Sequence, residues 1–261
     1  MKILVYVKQV PDTDDVQLDP KTGNLRREGV RSILNPLDAN AVEAALQLRE
    51  KHGGTVTAVC MGPPQAEDVL KKALGMGCDE ACLLSDRAFG GADTLATSYT
   101  LAKAAQKIGD YDLLLFGRHA VDGDTAQTGP AVAAWLDIPQ ITLAGSVETE
   151  DGWVYCDRVL GDVRQRVRAK LPALVTVCGD INKPRYATPI NIMKASKKPR
   201  YTWNAADLGC DPSCTGAAGS PSATKGVFEP EKRCADTVYF TGEPADAARA
   251  LADALAKDHL I

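Results

Sequence analysis

Short apolar runs alternate with amphipathic stretches over the first half of the chain. Runs that are apolar at every position are typical of strands buried on both faces, as in a parallel sheet. Apolar residues three and four positions apart are typical of helices. Four strands are predicted in this half, at Ile3–Val7, Thr55–Cys60, Glu80–Ser85 and Leu113–Phe116. Four helices are predicted between and after them. The first begins at Asn35 or Asp38 as its cap, and the other three span Gln65–Leu74, Thr94–Ile108 and Ala131–Trp135. This order predicts a doubly wound α/β fold around a parallel sheet.

Four loops leave the carboxyl ends of these predicted strands, which is where such sheets bind their ligands. These loops are Lys8–Thr13, Met61–Pro64, Asp86–Asp93 and Gly117–Thr128. Each of them contains Gly, Pro, Asp or Thr. Their agreement favours a nucleotide site at that edge of the sheet.

The loop at Gly117–Thr128 joins a buried strand to the N-terminus of a helix. Free N–H groups in a first helical turn, together with the positive end of the helix dipole, favour phosphate. Thr125, Thr128 and Gln127 add hydroxyl and amide donors. The alternative is an ordinary turn with Asp124 or Thr125 as the helix N-cap. The loop contains neither GxGxxG nor GxxxxGK[ST], the two commonest nucleotide motifs.

Alternating patterns replace the buried runs in the middle of the chain. Strands are predicted at Leu143–Glu150, Trp153–Leu160, Val163–Ala169 and Ala173–Val177, with hairpin turns at Asp151–Gly152 and Gly161–Asp162. A further hairpin is predicted at Val16–Leu25. Four basic residues of the third strand share one face, namely Arg164, Arg166, Arg168 and Lys170. Such a face either lies in solvent, where its charges keep the edge of the sheet from pairing with another chain, or it is a docking surface for an acidic partner.

The last third of the chain loses its regular pattern. A short helix is predicted at Pro189–Lys197 and a terminal helix at Pro244–Asp258. Between them lies an irregular segment rich in Gly, Pro, Ser and Ala, Tyr201–Glu231, which we call the arm. A loop of this length is unusual within one domain, so the arm is either a strap across a second subunit or a disordered connector. Two domains are predicted, residues 1–190 and residues 191–261.

The amino-acid composition disfavours several classes of protein. The chain is 45% hydrophobic, 25% charged and only 5% aromatic, and its net charge is −4. The low aromatic content disfavours a base-stacking RNA binder, and the negative charge disfavours a nucleic-acid surface. No apolar run approaches the roughly 20 residues that cross a membrane, and the N-terminal apolar run is too short for a secretory signal. A cytoplasmic protein without a membrane span is therefore predicted.

The eight cysteines are scattered rather than arranged as a disulfide framework. A metal or redox cluster is one interpretation of Cys210, Cys214 and Cys234, and three free thiols are the other. The spacing of these residues and the lack of a nearby histidine favour free thiols. No serine or cysteine lies in a nucleophile motif. No catalytic side chain and no metal site are expected.

Five of these segments, in this order, resemble the beta (small) subunit of electron transfer flavoproteins. They are Val7–Thr13, Asn35–Asp38, Met61–Pro63, Asp86–Thr97 and Gly117–Thr128. The resemblance covers essentially the whole chain, including Gly219–Pro221 and the terminal helix. It implies a heterodimer with an alpha subunit that carries FAD, and a beta subunit whose nucleotide-binding domain continues into an arm that embraces alpha.

The family holds different nucleotides in its beta site. Ordinary members hold a structural AMP, whereas electron-bifurcating members hold a second FAD and bind NADH beside it. The segments Asp86–Thr97 and Asp122–Thr128 resemble the bifurcating type. That type implies ferredoxin or flavodoxin as one acceptor and an acyl-CoA dehydrogenase-type oxidoreductase as another partner. An electron carrier with AMP in the same site and an adenine-nucleotide-binding module without redox function are the alternatives.

The resemblance also implies which residues bind the cofactor. Ala126 departs from the AMP-binding type, which has an asparagine there. The residues implied to lie toward the flavin ring are Asp93, Thr94 and Thr97. Those implied to hold the adenosine and phosphates are Tyr6, Asn35, Pro36, Leu37, Asp38, Met61, Gly62, Gly117, Arg118, Ala120, Val121, Asp122, Gly123, Asp124, Thr125, Ala126, Gln127 and Thr128.

Overall fold

A computed structural model of the chain describes residues 1–12, 32–223 and 237–261. The hairpin predicted at Val16–Leu25 and the cysteine at position 234 lie outside the described residues. By its packing the chain divides into residues 1–226, which contain the sheets, and residues 227–261. The domain boundary predicted after residue 190 stays a prediction.

Eleven strands and six α-helices make up the described chain. The strands are β1 (Lys2–Tyr6), β2 (Gln9–Pro11), β3 (Ser32–Leu34), β4 (Thr55–Met61), β5 (Glu80–Leu84), β6 (Leu113–Gly117), β7 (Gln140–Glu150), β8 (Trp153–Leu160), β9 (Val163–Lys170), β10 (Ala173–Val177) and β11 (Arg200–Trp203). The helices are α1 (Pro36–His52), α2 (Glu67–Met76), α3 (Thr94–Ile108), α4 (Thr128–Leu136), α5 (Pro189–Ala195) and α6 (Pro244–Lys257). Every strand and helix predicted within the described residues is present, with ends shifted by a few residues.

Nine strands form one sheet in the order β11-β5-β4-β1-β6-β10-β7-β8-β9. Neighbours from β11 to β7 are parallel, and β8 and β9 extend the sheet as antiparallel hairpins. Every residue of β6 and of β10 is buried. Strands so apolar are stable only with both faces covered, which confirms the predicted doubly wound fold.

Helices cover the two faces of the sheet separately. Alternate residues of β1 divide between two apolar cores. Ile3 and Val5 pack in the core that holds α1 and α2, whereas Leu4 and Tyr6 pack in the core that holds α3 and α4. This arrangement leaves the carboxyl edge of the sheet open to the loops.

The antiparallel part of the sheet follows the predicted hairpins. Asp151 and Gly152 both have positive φ, 47° and 79°, as a tight turn between twisted strands requires. β9 is the last strand of the sheet, so its basic face lies at an edge, as predicted. Arg166 on that face is paired with Asp157 of β8 and with Glu148 of β7, one strand further in.

Three short strands were not predicted. β2 and β3 form a separate antiparallel pair beside β1. β11 pairs in parallel with β5, so the interpretation of the arm as irregular from Tyr201 onward is wrong for its first residues. Three of the four residues of β11 are exposed, and such a strand has no apolar pattern to reveal it.

The second unit is described only for residues 237–261. Its helix α6 has the predicted position and no buried residue. No helix in the described ranges has the length and hydropathy needed to span a bilayer.

Candidate functional site

The order of the strands creates a crevice between β1 and β6. From β1 the chain moves through α1 to β4 and then to β5 on one side, and α3 carries it back to β6 on the other side of β1. Ligands of doubly wound sheets bind at such a reversal, outside the carboxyl ends of the strands. The loops after β1 and β6, at residues 7–12 and 118–127, therefore border the candidate site.

Asn35 ties these two loops together. Its backbone N–H donates to the carbonyl oxygen of Lys8 at 3.0 Å. Its side-chain amide donates to the carbonyl oxygen of His119 at 2.9 Å and accepts from the N–H of Val121 at 3.2 Å. Asn35 occupies the N-cap position of α1, but its side chain makes no capping hydrogen bond. The prediction of Asn35 as the cap residue is therefore confirmed for its position, whereas its side chain and that of Asp38 bind across the crevice instead of the first turn of the helix.

Asp38 fastens the ends of β1 and β6 to the first turn of α1. One carboxylate oxygen accepts from the N–H of Lys8 at 2.8 Å, and the other accepts from the N–H of Gly117 at 3.2 Å. Burial raises the pKa of the Asp38 carboxyl to about 7, although these hydrogen bonds act in the opposite direction. A Cβ at Gly117 would lie 2.7 Å from the carbonyl carbon of Leu37. Only glycine permits this close approach.

An ion pair crosses the mouth of the crevice. The ammonium group of Lys8 lies 2.7 Å from a carboxylate oxygen of Asp122. The loop beyond that pair is open to solvent, since every residue from 121 to 127 is exposed. Asp124 and Ala126 have positive φ, 45° and 53°, so the loop turns sharply and presents its backbone. Small, exposed residues of this kind allow a phosphate to approach backbone N–H groups.

The N-terminus of α4 has no side-chain cap. The helix begins at Thr128, and its N-cap residue Gln127 makes no capping hydrogen bond. The alternative considered for this loop, an ordinary turn with Asp124 or Thr125 as the N-cap, does not hold, because both residues lie before the cap position. A first turn without a capping side chain keeps N–H groups for an anionic ligand.

A second helix N-terminus borders α4. Asp93 caps α3 by accepting from the N–H groups of Leu95 and Ala96 at 2.9 and 3.1 Å. Partial burial would raise the pKa of Asp93, but hydrogen bonds from Ala96, Ser222 and Leu95 hold that pKa below its usual range. The hydroxyl of Thr94 lies 3.5 Å from the amide oxygen of Gln127. The starts of α3 and α4 are thus brought together, as the site prediction requires.

The remaining predicted site residues differ in how they face the crevice. Tyr6 is buried: its ring stacks on Phe116 with centroids 4.3 Å apart, and its hydroxyl donates to the carbonyl oxygen of Leu101. Only its backbone borders the edge of the sheet. Pro36, Leu37, Met61 and Gly62 lie where α1 begins and where β4 ends; Pro36 is exposed and the other three are half-buried. Thr97 lies one turn beyond Thr94 on α3. Arg118 is exposed and directs its Nε toward the Nδ1 of His119.

Three residues near the site were not among the site residues predicted from the sequence. Lys8 follows β1 directly, and the strand-end rule that selected its loop could have found it. Ser220 and Ser222 lie against Asp93, at 2.8 Å in each case, but they are more than 120 residues away along the chain. No local pattern reveals a contact of that separation.

The cysteines contribute nothing visible to the site. Seven cysteines lie within the described residues, and all seven are free, including Cys210 and Cys214. The described part of the chain contains no group of three His, Cys, Asp or Glu residues placed to hold a metal ion.

Comparison with known proteins identifies the family of this chain. Residues 22–208 match the family described as the electron transfer flavoprotein domain. The chain is 44% identical to the caffeyl-CoA reductase-Etf complex subunit CarD of Acetobacterium woodii, and the match covers all of both chains. It is 46% identical to the electron transfer flavoprotein subunit beta of Thermoanaerobacterium thermosaccharolyticum, again over all of both chains. It is 42% identical to the protein FixA of Azorhizobium caulinodans, over 95% of this chain and 92% of that one. The chain therefore belongs to the electron transfer flavoprotein family, as a beta subunit.

Proposed function

We propose that this beta subunit binds FAD at the crevice between β1 and β6 and passes electrons from NADH to the FAD of its alpha subunit. Ferredoxin or flavodoxin and an acyl-CoA dehydrogenase-type oxidoreductase complete the proposed bifurcating system, in the cytoplasm. The relative named as a subunit of a caffeyl-CoA reductase-Etf complex supports a role within a larger assembly. Electron transfer itself follows from the family, whereas the cofactor, bifurcation and these partners are the proposal.

The observation that carries the proposal is the uncapped start of α4 beside an exposed loop. Gln127 makes no capping hydrogen bond, and residues 121–127 present their backbone to solvent at the strand-order reversal. This arrangement suits a diphosphate, whose negative charge is stabilised by N–H groups and by the helix dipole. Lys8, Arg118 and the hydroxyl of Thr128 border the same place.

The chain's own residues would bind and orient the cofactor. Asn35 and Asp38 hold the two loops at a fixed separation, and the start of α4 receives the phosphates. Thr94 and Thr97, at the start of α3, would face the reactive ring. Bound FAD would supply the redox chemistry, and the surrounding protein groups would tune its potential.

The alternative is a carrier whose beta site holds AMP, and the two are separated by counting cofactors. The chain is coexpressed with its alpha subunit, the heterodimer is purified, and the nucleotides released by denaturation are quantified by chromatography. Two FAD per heterodimer, reduced on addition of NADH, is the expected result. One FAD and one AMP would contradict the proposal and favour the structural AMP. A stable beta monomer that takes up adenine nucleotide but gains no flavin when alpha is present would favour the module without redox function.

A further inference from the structure

The described part of the arm, residues 201–223, lies along the loop that precedes α3. The N–H of Ala205 donates to the side chain of Asp86 at 3.0 Å, and the N–H of Ala217 donates to the carbonyl oxygen of Gly90 at 2.9 Å. The N–H of Asp211 donates to the hydroxyl of Tyr99 on α3 at 2.9 Å. The arm is therefore attached to this edge of the site at several separate points.

The contact is close enough to require glycine in the arm. Gly216 has φ +54°, and a Cβ at this position would overlap the carbonyl oxygen of Ala88. The same Cβ would lie 2.9 Å from the carbonyl oxygen of Gly90. The backbone of the arm thus packs directly on the backbone of the loop that leads into α3.

Asp93 joins the arm to the start of α3, because its two carboxylate oxygens have different partners. One oxygen accepts from the first-turn N–H groups of α3. The other accepts from the N–H of Ser222 at 3.2 Å and from its hydroxyl at 2.8 Å. The N–H of Asp93 in turn donates to the hydroxyl of Ser220 at 2.8 Å. Hydrogen bonds to a carboxylate are stronger than those between neutral groups, so this junction fixes the arm and the helix together.

The junction lies next to residues that the proposed function assigns to the cofactor. Thr94 follows Asp93 directly, and its hydroxyl lies 3.5 Å from the amide oxygen of Gln127, the N-cap residue of α4. Asp93 is therefore linked, directly and through Thr94, to the starts of both helices. Within the described residues, no hydrogen bond joins the loop at 118–127 directly to the arm.

We propose that Asp93, together with Ser220 and Ser222, is a positioning junction through which the arm sets the affinity of the crevice for an adenine nucleotide. This inference rests on the proposed nucleotide site. It adds that the site is complete only when the arm is in place. Because coupling between two sites is reciprocal, a bound nucleotide must also stabilise the arm against local opening.

The test uses the full chain with its alpha subunit, and ADP is the probe. Asp93→Asn keeps an oxygen to cap α3 but places an amide NH2 where Ser222 requires an acceptor. Ser222→Ala removes the hydroxyl from the other side of the same junction. Ser213→Ala is the matched control, since the Ser213 hydroxyl bonds only within its own turn, to Asp211, apart from a 3.9 Å contact with the neighbouring Cys214 sulfur.

Each junction variant is expected to weaken ADP binding by about 5-fold, a typical size for coupling of this kind, while the control matches the unmodified protein. The double variant Asp93→Asn with Ser222→Ala is expected to be no weaker than the more affected single variant, since both remove the same contact. Hydrogen exchange of the segment 216–222 is expected to slow when ADP is added, and this protection should be lost in Asp93→Asn.

Three results would overturn the inference in distinguishable ways. Junction variants that bind ADP as tightly as the Ser213→Ala control would show that the arm does not set the affinity. Exchange in the segment 216–222 that is unchanged by ADP would show that the two regions are uncoupled. An unmodified heterodimer that binds no adenine nucleotide would refute the proposed function, and the inference with it.

Discussion

Asp38 gives the most specific quantitative prediction for this fold. Its carboxyl is buried between α1 and the ends of β1 and β6, and burial raises its pKa from 3.8 to about 7. The folded protein therefore holds this proton more tightly than the unfolded chain does. The resulting stability is fully present below the unfolded pKa and is lost as the pH rises toward 7. Three pKa units at about 1.4 kcal/mol each correspond to at most about 4 kcal/mol.

Asp38→Asn removes this titration while preserving the size of the side chain. The free energy of unfolding of the variant, minus that of the unmodified protein, is expected to increase by up to about 4 kcal/mol between about pH 4 and about pH 8. Near pH 4 the variant should already be less stable by about 1–3 kcal/mol, because both carboxyl oxygens accept backbone N–H groups, from Lys8 and Gly117, and the amide NH2 cannot accept either of them. Urea unfolding followed by circular dichroism at a series of pH values measures the difference.

An exposed aspartate provides the control for this experiment. Asp162 lies in the turn between β8 and β9 and is exposed, so the difference curve of Asp162→Asn should be flat. A flat curve for Asp38→Asn as well would refute the reasoning. It would mean that hydrogen bonds from the N–H groups of Lys8 and Gly117 offset the cost of burying the charge completely.

Three further substitutions, the first with a control variant, test individual contacts of the structure. Gly117→Ala should destabilise the protein by about 2 kcal/mol and abolish nucleotide binding, since its Cβ would overlap the first turn of α1. Gly123→Ala, whose Cβ meets nothing within 4 Å, should change the urea midpoint little, and equal midpoints for the two variants would exclude the overlap. Arg185→Ala should lower the free energy of unfolding by about 3 kcal/mol, because the buried carboxylate of Glu43 loses the guanidinium 2.7 Å away and keeps only uncharged donors. A loss under about 1 kcal/mol in urea unfolding would argue against this reasoning. Ala126→Asn should stabilise the protein by up to about 1 kcal/mol, since asparagine tolerates the left-handed backbone at φ 53° better than alanine, and a lower melting temperature would contradict this.

The main architecture was predictable because its signals are local. Uninterrupted apolar strands such as Leu113–Phe116 indicate burial on both faces, and the helices between them have regular apolar spacing. The hairpin at Asp151–Gly152 was predictable because few residues other than Asp, Asn and Gly adopt positive φ in a tight turn. Length and pattern were therefore sufficient for the fold class.

The differences between prediction and structure at β11, Asn35 and Asp38 involve partners that are distant in the sequence. β11 exists because the free edge of β5 offers backbone hydrogen bonds, and its own exposed residues have no strand pattern. Asn35 and Asp38 have the residue types and positions of caps, but the loops after β1 and β6 compete for the same side chains. Local preference cannot decide such a competition.

The position of the candidate site could be predicted from the sequence more readily than its individual contacts. The rule that ligands bind at the carboxyl edge selected loops that border the reversal of strand order, and the structure brings the starts of α3 and α4 together there. That these loops bind a nucleotide stays a prediction. The core position of the Tyr6 side chain and the attachment of the arm at Asp93 depend on packing between elements about 95 and 129 residues apart. These contacts appear only once the fold has formed.

The location of the nucleotide phosphates tests the central claim most directly. A crystal structure of the heterodimer grown with ADP should show the phosphates within hydrogen-bonding distance of the N–H groups of Thr128 and Gly129, at the start of α4. Phosphates bound elsewhere on the chain, with the first turn of α4 facing only water, would contradict the assignment of this crevice as the nucleotide site.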